Sequence, residues 1–427
     1  MSTSAITRPR LDAADADISA RAFWSQDYEA REQVFRRFRS ECPVSWHRPY
    51  ESELMPPDDD TPGFWSVWRH EDIRAVSRNA NVFCSGHGML MEDFPDVVSQ
   101  MSQSFLAMDD PDHAQLRALI SQAFSPRRMR TIEEWIRGNV AELVGELIEH
   151  EGDADFCEAF AKLVPGRIFA DFFGLPEGQT RHEVMDAAEK MLAWDDPAAA
   201  QGRSALETYG EEAQRLLDAC FDLIDERRAT PGEDLLTWLV QAEVNSRKLE
   251  DWEIGSFFCL LAAAANDTTR HSLAHAVSLL TRNPDQRARL LEDLDGRVEG
   301  AVEEILRYAT PVMQFRRTAK ADTEIDGVPI ARGEKVVMWY SSGNRDETLF
   351  TDPGRFDILR RESRHLGFGG GGPHYCMGAA LGRLMLTCSL QEIYTRIPDI
   401  QSGTPVFQVN NFINGIAAMP VRWTSGA

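Results

Sequence analysis

The chain has 427 residues, of which 43% are hydrophobic and 26% charged, with a net charge of −23. That is enough apolar material for a large core, and its acidity argues against nucleic acid or an anionic membrane as a default partner. Seven scattered cysteines with no C-x-x-C exclude a disulfide framework and a zinc cluster.

Residues 1–22 carry neither the apolar stretch of a signal peptide nor a membrane span, and they read as a poorly ordered segment. No linker, repeat or low-complexity tract divides the rest, so residues 1–427 read as one domain, cytoplasmic and monomeric. A strand is expected over 63–68 (GFWSVW). Residues 130–149 and 210–228 repeat apolar positions at three and four residues and predict helices. Arg127, Arg128 and Arg130 form a basic knot, as do Arg360, Arg361 and Arg364; a solvated face is the plain reading of each.

Residues 252–282 contain no proline, and their middle, FFCLLAAAA at 257–265, is apolar all round, as in a buried helix about 45 Å long. Asn266, Asp267, Thr268 and Thr269 follow directly, and buried polar groups are costly unless paired. His271 and His275 stand at i, i+4, a spacing that can grip a metal. Without a third ligand they read as helix residues. Residues 323–330 and 334–340 read as two arms of one hairpin around 331–333, and short strands are expected over 406–423. The fold class is therefore mainly α with small β-sheets, and neither nucleotide-binding glycine motif is present.

Residues 365–383 read HLGFGGGGPHYCMGAALGR. Four glycines at 369–372 permit close backbone approach, and Cys376 precedes a helix-forming stretch at 377–393, where N–H donors and the helix dipole lower a thiol's pKa. Such a thiolate can be a nucleophile or a metal ligand, and the loop can also be a plain structural turn. His374, two residues away, is poorly placed as a nucleophile's base. The glycines would let backbone amides point at sulfur and a flat macrocycle lie against the loop.

Four motifs together resemble the cytochrome P450 family, over residues 24–423. They are the loop from Phe368 to Cys376 and Gly378; Ala264-Ala265-Asn266-Asp267-Thr268-Thr269; Glu304-Ile305-Leu306-Arg307, with Asp352-Pro353-Gly354-Arg355-Phe356 downstream; and Asp110-Pro111-Asp112-His113 with Arg117. The resemblance implies a triangular fold around a long buried helix, haem b as cofactor and Cys376 as the iron ligand. Phe368, Gly369, Gly378 and Ala265 would flank the macrocycle, and His113, Arg117, Arg317 and His374 would face its propionates. Asp267 and Thr268 would deliver protons. Glu304, Arg307 and Arg355 would form a structural ion network. Substrate would meet segments 83–105, 185–201, 262–268, 312–315 and 411–413, through Met89, Met91, Phe94, Met101, Ala264, Val312 and Phe412.

Two departures stand out. Phe368 lies eight residues before Cys376, one more than the common spacing, a form similar to actinobacterial hydroxylases of sterol side chains and branched lipids. Ala265 stands where the family usually has glycine. The implied activity is dioxygen-dependent monooxygenation of a small apolar substrate: a terpenoid, sterol, branched lipid or secondary-metabolite intermediate. Electrons would come from an acidic ferredoxin and its reductase, docking near the two basic knots. The alternatives are a peroxide-driven peroxygenase, disfavoured by the intact Asp267 and Thr268, and a haem-binding sensor or carrier without turnover.

Overall fold

The computed structural model describes residues 8–11, 16–94, 105–121, 124, 126–194, 197–244 and 247–424; for 126–129, 131, 197–198 and 244 it describes the backbone alone. The Glu253 carboxylate accepts from the backbone N–H of Glu250 (2.8 Å) and starts a helix of 32 residues, Asp251–Arg282. At 1.5 Å per residue it is about 48 Å long. Helices Leu163–Phe173, Gln179–Leu192, Ala205–Ala229, Leu294–Ala309 and Ala379–Arg396 all pack on it. Ala205–Ala229 begins at a reciprocal cap: Glu207 accepts from the Ser204 N–H (2.8 Å) and Ser204 Oγ from that of Glu207 (3.3 Å). The expected helices at 130–149 and 210–228 are thus Pro126–Ile148 and Ala205–Ala229, each extended at its N-terminal end. No helix is long and apolar enough to cross a membrane among the described residues.

A five-stranded sheet stands beside the helices, in the order Val44–His47, Phe64–Val67, Lys335–Trp339, Gln314–Ala319, Phe83–Cys84. Only Phe64–Val67 and Lys335–Trp339 are parallel. The expected hairpin between 323–330 and 334–340 does not form. Thr323–Ile325 pairs with Val328–Ile330 instead, across Asp326 and Gly327 with φ of 46° and 76°. This two-residue left-handed turn matches strand twist, and Asp-Gly suits it. Lys335–Trp339 is thereby free to join the main sheet. Within the expected poorly ordered segment, the described residues 16–22 are packed: Ala16, Ile18 and Ser19 are buried, and the first two join an N-terminal cluster with Trp24, Phe35 and Trp339. Trp24 and Trp68 both stack on Trp339, with ring centroids 5.2 and 5.3 Å apart.

The helix Leu294–Ala309 carries a buried ion pair in which Arg307 Nε and Nη2 reach Glu304 at 2.7 and 2.8 Å. Its third member is Arg360, whose Nε lies 3.1 Å from Glu304, and not Arg355. Arg355 is exposed, and its backbone carbonyl accepts from Arg307 (3.2 Å). The basic knot at 360–364 loses Arg360 from the surface for the same reason. Removing one partner of a buried pair leaves an uncompensated charge, so Arg307→Ala should cost about 3–5 kcal/mol. Arg355→Ala should stay within about 0.5 kcal/mol, since the carbonyl remains. Chemical-denaturation midpoints of the two variants check this.

Candidate active site

The central helix and the glycine loop face each other across a slot. Ala264, Ala265 and Thr268 line one wall; Phe368, Gly369, His374, Cys376 and Gly378 line the other. The Cys376 N–H donates to the Phe368 carbonyl (3.0 Å) and closes the loop. Its glycines serve a second contact beside the slot. A Cβ at Gly370 would come within 2.8 Å of Ser77, and one at Gly372 within 2.5 Å of the Ser77 carbonyl, at the end of the helix His70–Arg78. Ser77 Oγ donates to the Gly371 carbonyl (2.8 Å). The helix after Cys376 begins at Ala379, two residues later than its composition suggests. The thiol pKa is raised rather than lowered. The residue is open to the slot, yet the apolar walls around it desolvate the sulfur and push its pKa up, which outweighs the Gly378 N–H and the charges of Arg117 and Arg383 that pull it down.

At one end of the slot, the rings of His113 and His374 lie 4.1 Å apart. His113 Nε2 and His374 Nδ1 are buried and have no hydrogen-bond partner among the described residues. Arg317 is buried, donates to the Arg316 carbonyl (2.7 Å), and has no ion pair among the described residues. Burial, with the charge of Arg317, pushes the His374 pKa down to about 2. Burying so many donors without an acceptor is costly unless an anionic group meets them.

On the opposite wall, Thr268 Oγ1 donates to the Ala264 carbonyl (3.0 Å). Asp267 pairs with Arg270 (2.7 Å), and Arg270 with Glu189 (2.8 Å) on Gln179–Leu192. Burial raises the Asp267 pKa against the pull of Arg270. His271 and His275 are buried helix residues: His271 Nδ1 accepts from the Ile416 N–H (3.1 Å), and His275 Nε2 lies 2.9 Å from the Asn414 carbonyl. No group of three or more metal-ligating side chains forms among the described residues.

A family model described as cytochrome P450 matches residues 69–396. The chain belongs to the cytochrome P450 family. A Mycobacterium tuberculosis protein named methyl-branched lipid omega-hydroxylase is 34% identical over 425 residues, covering 97% of this chain and 96% of that one. A steroid C26-monooxygenase of Mycolicibacterium smegmatis is 35% identical over 368 residues, 85% of this chain and 84% of that one. Among solved structures, a Mycobacterium marinum cytochrome P450 in complex with pseudoionone is 46% identical. It covers 98% of this chain and 100% of that one, with a TM-score of 0.93.

A P450 is an oxidoreductase, a monooxygenase that carries haem b, uses dioxygen and takes electrons from a redox partner. The residues present fit that cofactor. A soft sulfur faces the slot, and the orphaned imidazole nitrogens with Arg317 and Arg117 supply what two carboxylates require.

Thr268 and Ala264 also line a second, largely apolar cavity of about 560 Å³, together with Met89, Phe94, Val312 and Phe412. Met91 is the exception among the expected substrate residues. It is 2% exposed and belongs to the N-terminal cluster that also holds Phe35 and Met313, whereas Met89 lines the cavity. Met101, and the side chains of Arg127 and Arg128, lie outside the described residues. Sequence reasoning missed Tyr209 and Leu217 on Ala205–Ala229, Cys259 and Leu260 on the central helix, and Tyr340 in the slot. The helical residues sit on stripes whose apolar period is that of any core helix, so no signal separated them. Met91→Ala should lower stability by about 2–5 kcal/mol and leave ligand affinity unchanged. Met89→Ala should do the reverse, as thermal denaturation and ligand titration would show.

Proposed function

We propose that this P450 oxidises an apolar chain or ring system of the terpenoid, sterol or branched-lipid kind, taking its electrons from an acidic ferredoxin. The observation that carries this reading is that Cys376 and Thr268 line opposite walls of one slot, with an apolar cavity opening beyond Thr268. The names of the relatives support the substrate class: a methyl-branched lipid, a steroid, and linalool for a Pseudomonas putida protein 33% identical over 399 residues.

Cys376 would hold haem b by its sulfur, and His113, Arg117, Arg317 and His374 would meet its propionates. The bound haem supplies the iron at which dioxygen is activated. Around it, Met89, Phe94, Val312 and Phe412 exclude water and orient the substrate by shape. Thr268 Oγ1 holds a proton beside the slot, and Asp267, buried and paired with Arg270, can receive one from outside and pass it inward. The longer loop between Phe368 and Cys376, in the form that resembles actinobacterial hydroxylases of sterol side chains and branched lipids, favours the same substrate class. The absence of a membrane-crossing helix among the described residues is compatible with a cytoplasmic enzyme.

Purified protein should show the red-shifted Soret band of a thiolate-ligated ferrous carbon-monoxide complex, and Cys376→Ala should lose it. Survival of the band in that variant would move the ligand elsewhere. Thr268→Ala should keep the band and bind substrate, yet release peroxide in place of product; equal product per electron in variant and parent would remove Thr268 from proton delivery.

Arg361 and Arg364 are exposed, although Arg364 pairs with Glu362 (2.7 Å). Docking of an acidic ferredoxin there would be steered over a Debye length of about 8 Å at physiological salt. Reduction should therefore slow as ionic strength rises, and Arg361→Glu should slow it at low salt. Stopped-flow reduction with a ferredoxin reads both effects.

A further inference from the structure

Glu303 precedes the buried Glu304, and its carboxylate serves a different network. It receives Nε and Nη2 of Arg383, at 2.6 and 3.0 Å, and Nε2 of His365 at 3.0 Å. His365 Nδ1 accepts from the Gly367 N–H (3.0 Å), so Nε2 carries the ring proton and donates to Glu303. The Arg383 guanidinium then lies over the Phe368 ring, 4.3 Å from its centroid. Phe368 in turn accepts the Cys376 N–H through its carbonyl. A cation is thus stacked on the aromatic ring that braces the thiolate loop, and a carboxylate on the far side fixes it there. The side chain of His365 is 2% exposed, those of Glu303 and Arg383 25% and 36%, so solvent screens this charge only in part.

We propose that Arg383 is a positioning residue that sets the reduction potential of the haem iron: its guanidinium on Phe368 favours the ferrous state, and Glu303 limits how much of that charge is felt. This rests on Cys376 being the iron ligand. A positive charge close to the thiolate stabilises the form of the centre with one more electron, and a negative charge beyond it opposes that effect. The reaction concerned is the one-electron reduction of ferric to ferrous haem, with the electron supplied by an external donor. The plain alternative is that Glu303, Arg383 and His365 merely pin the loop. The two readings separate by sign. Loosening the loop from either partner would move the potential in one common direction, whereas charge removal moves it in opposite directions.

The test uses the haem-loaded full chain and four variants: Arg383→Gln, Glu303→Gln, the double variant, and Arg383→Lys. Ferric/ferrous midpoints are read by spectroelectrochemical titration, after the carbon-monoxide band has been recorded for each. The midpoint should move negative in Arg383→Gln and positive in Glu303→Gln. It should fall between these in the double variant and stay near the parent in Arg383→Lys, which keeps the charge and loses the planar fork. Single variants that both move the same way, or neither of which moves, overturn the proposal. Should Arg383→Gln lose the thiolate band, Glu303→Gln moving positive while Arg383→Lys holds still supports it, and any other pattern for that pair overturns it. A parent protein with no thiolate band would instead overturn Cys376 as the ligand.

Discussion

The buried ion pair between Glu304 and Arg307 carries the geometry of the Cys376 side of the slot. Residues 344–367 follow an irregular path, and their backbone groups must find partners outside any helix or sheet. Arg307 Nη1 takes the carbonyls of Asn344 (2.8 Å) and Pro353 (3.0 Å), and Glu304 takes the Asp357 N–H (2.9 Å). Asn344 Oδ1 then accepts from the Leu366 N–H (2.6 Å), two residues before Phe368. Desolvating two charges is expensive, and the cost is offset here because nearly every donor and acceptor of the pair is used. The loop that carries Cys376 thereby starts from a fixed point, and its glycines need only fit the remaining turn against Ser77.

The charge distribution runs against the net charge of the chain. A protein of −23 gathers Arg117, Arg317, His113 and His374 at the slot, and adds Arg383 behind Phe368. Burial lowers the pKa values of Arg117, Arg317, His113 and His374, in His113 against the pull of the Asp110 carboxylate (3.3 Å). An anionic cofactor reverses the same bookkeeping. Binding and local electrostatics are therefore linked, and the apolar walls around these donors strengthen the link.

Sequence legibility followed how local each constraint was. The central helix was readable because its apolar stretch and missing proline act within one element, and the Asp251–Arg282 boundary differs from expectation by one residue. The Glu304–Arg307 ion pair was readable, and Cys376 and Thr268 stood out as residues that line one slot, because their patterns are short and chemically unusual. Failures came where a distant partner decides. The arms 323–330 and 334–340 were misassigned because the turn at Asp326-Gly327 lies inside the first of them, and only the sheet shows that Lys335–Trp339 has better partners. Arg360 displaced Arg355 because a side chain five residues on can fold back along an irregular segment. Met89 and Met91 lie two residues apart in one apolar stretch, and only the tertiary packing of the N-terminal cluster separates the core residue from the cavity residue.

The central helix also shows how a buried element can carry polar groups without unfolding. Asn266, Thr268, Ser272 and Thr281 each return a side-chain hydrogen bond to the carbonyl four residues earlier. Such back-bonding satisfies the hydroxyls and the amide N–H at small cost and weakens the helix's own ladder locally, while Asn266 Oδ1 is buried with no partner among the described residues. Asp267 cannot use it, because a carboxylate accepts and does not donate. It needs a cation, and Arg270 supplies one from the next turn of the same helix. Glu189 holds that guanidinium from the neighbouring helix Gln179–Leu192, whose residues Met191 and Leu192 wall the second, largely apolar cavity. The acid beside the slot and the helix that walls the apolar cavity thus share one arginine. A shift of that wall that withdrew Glu189 would leave Arg270 committed to Asp267 alone, strengthening its hold on the charged carboxylate and lowering that group's pKa.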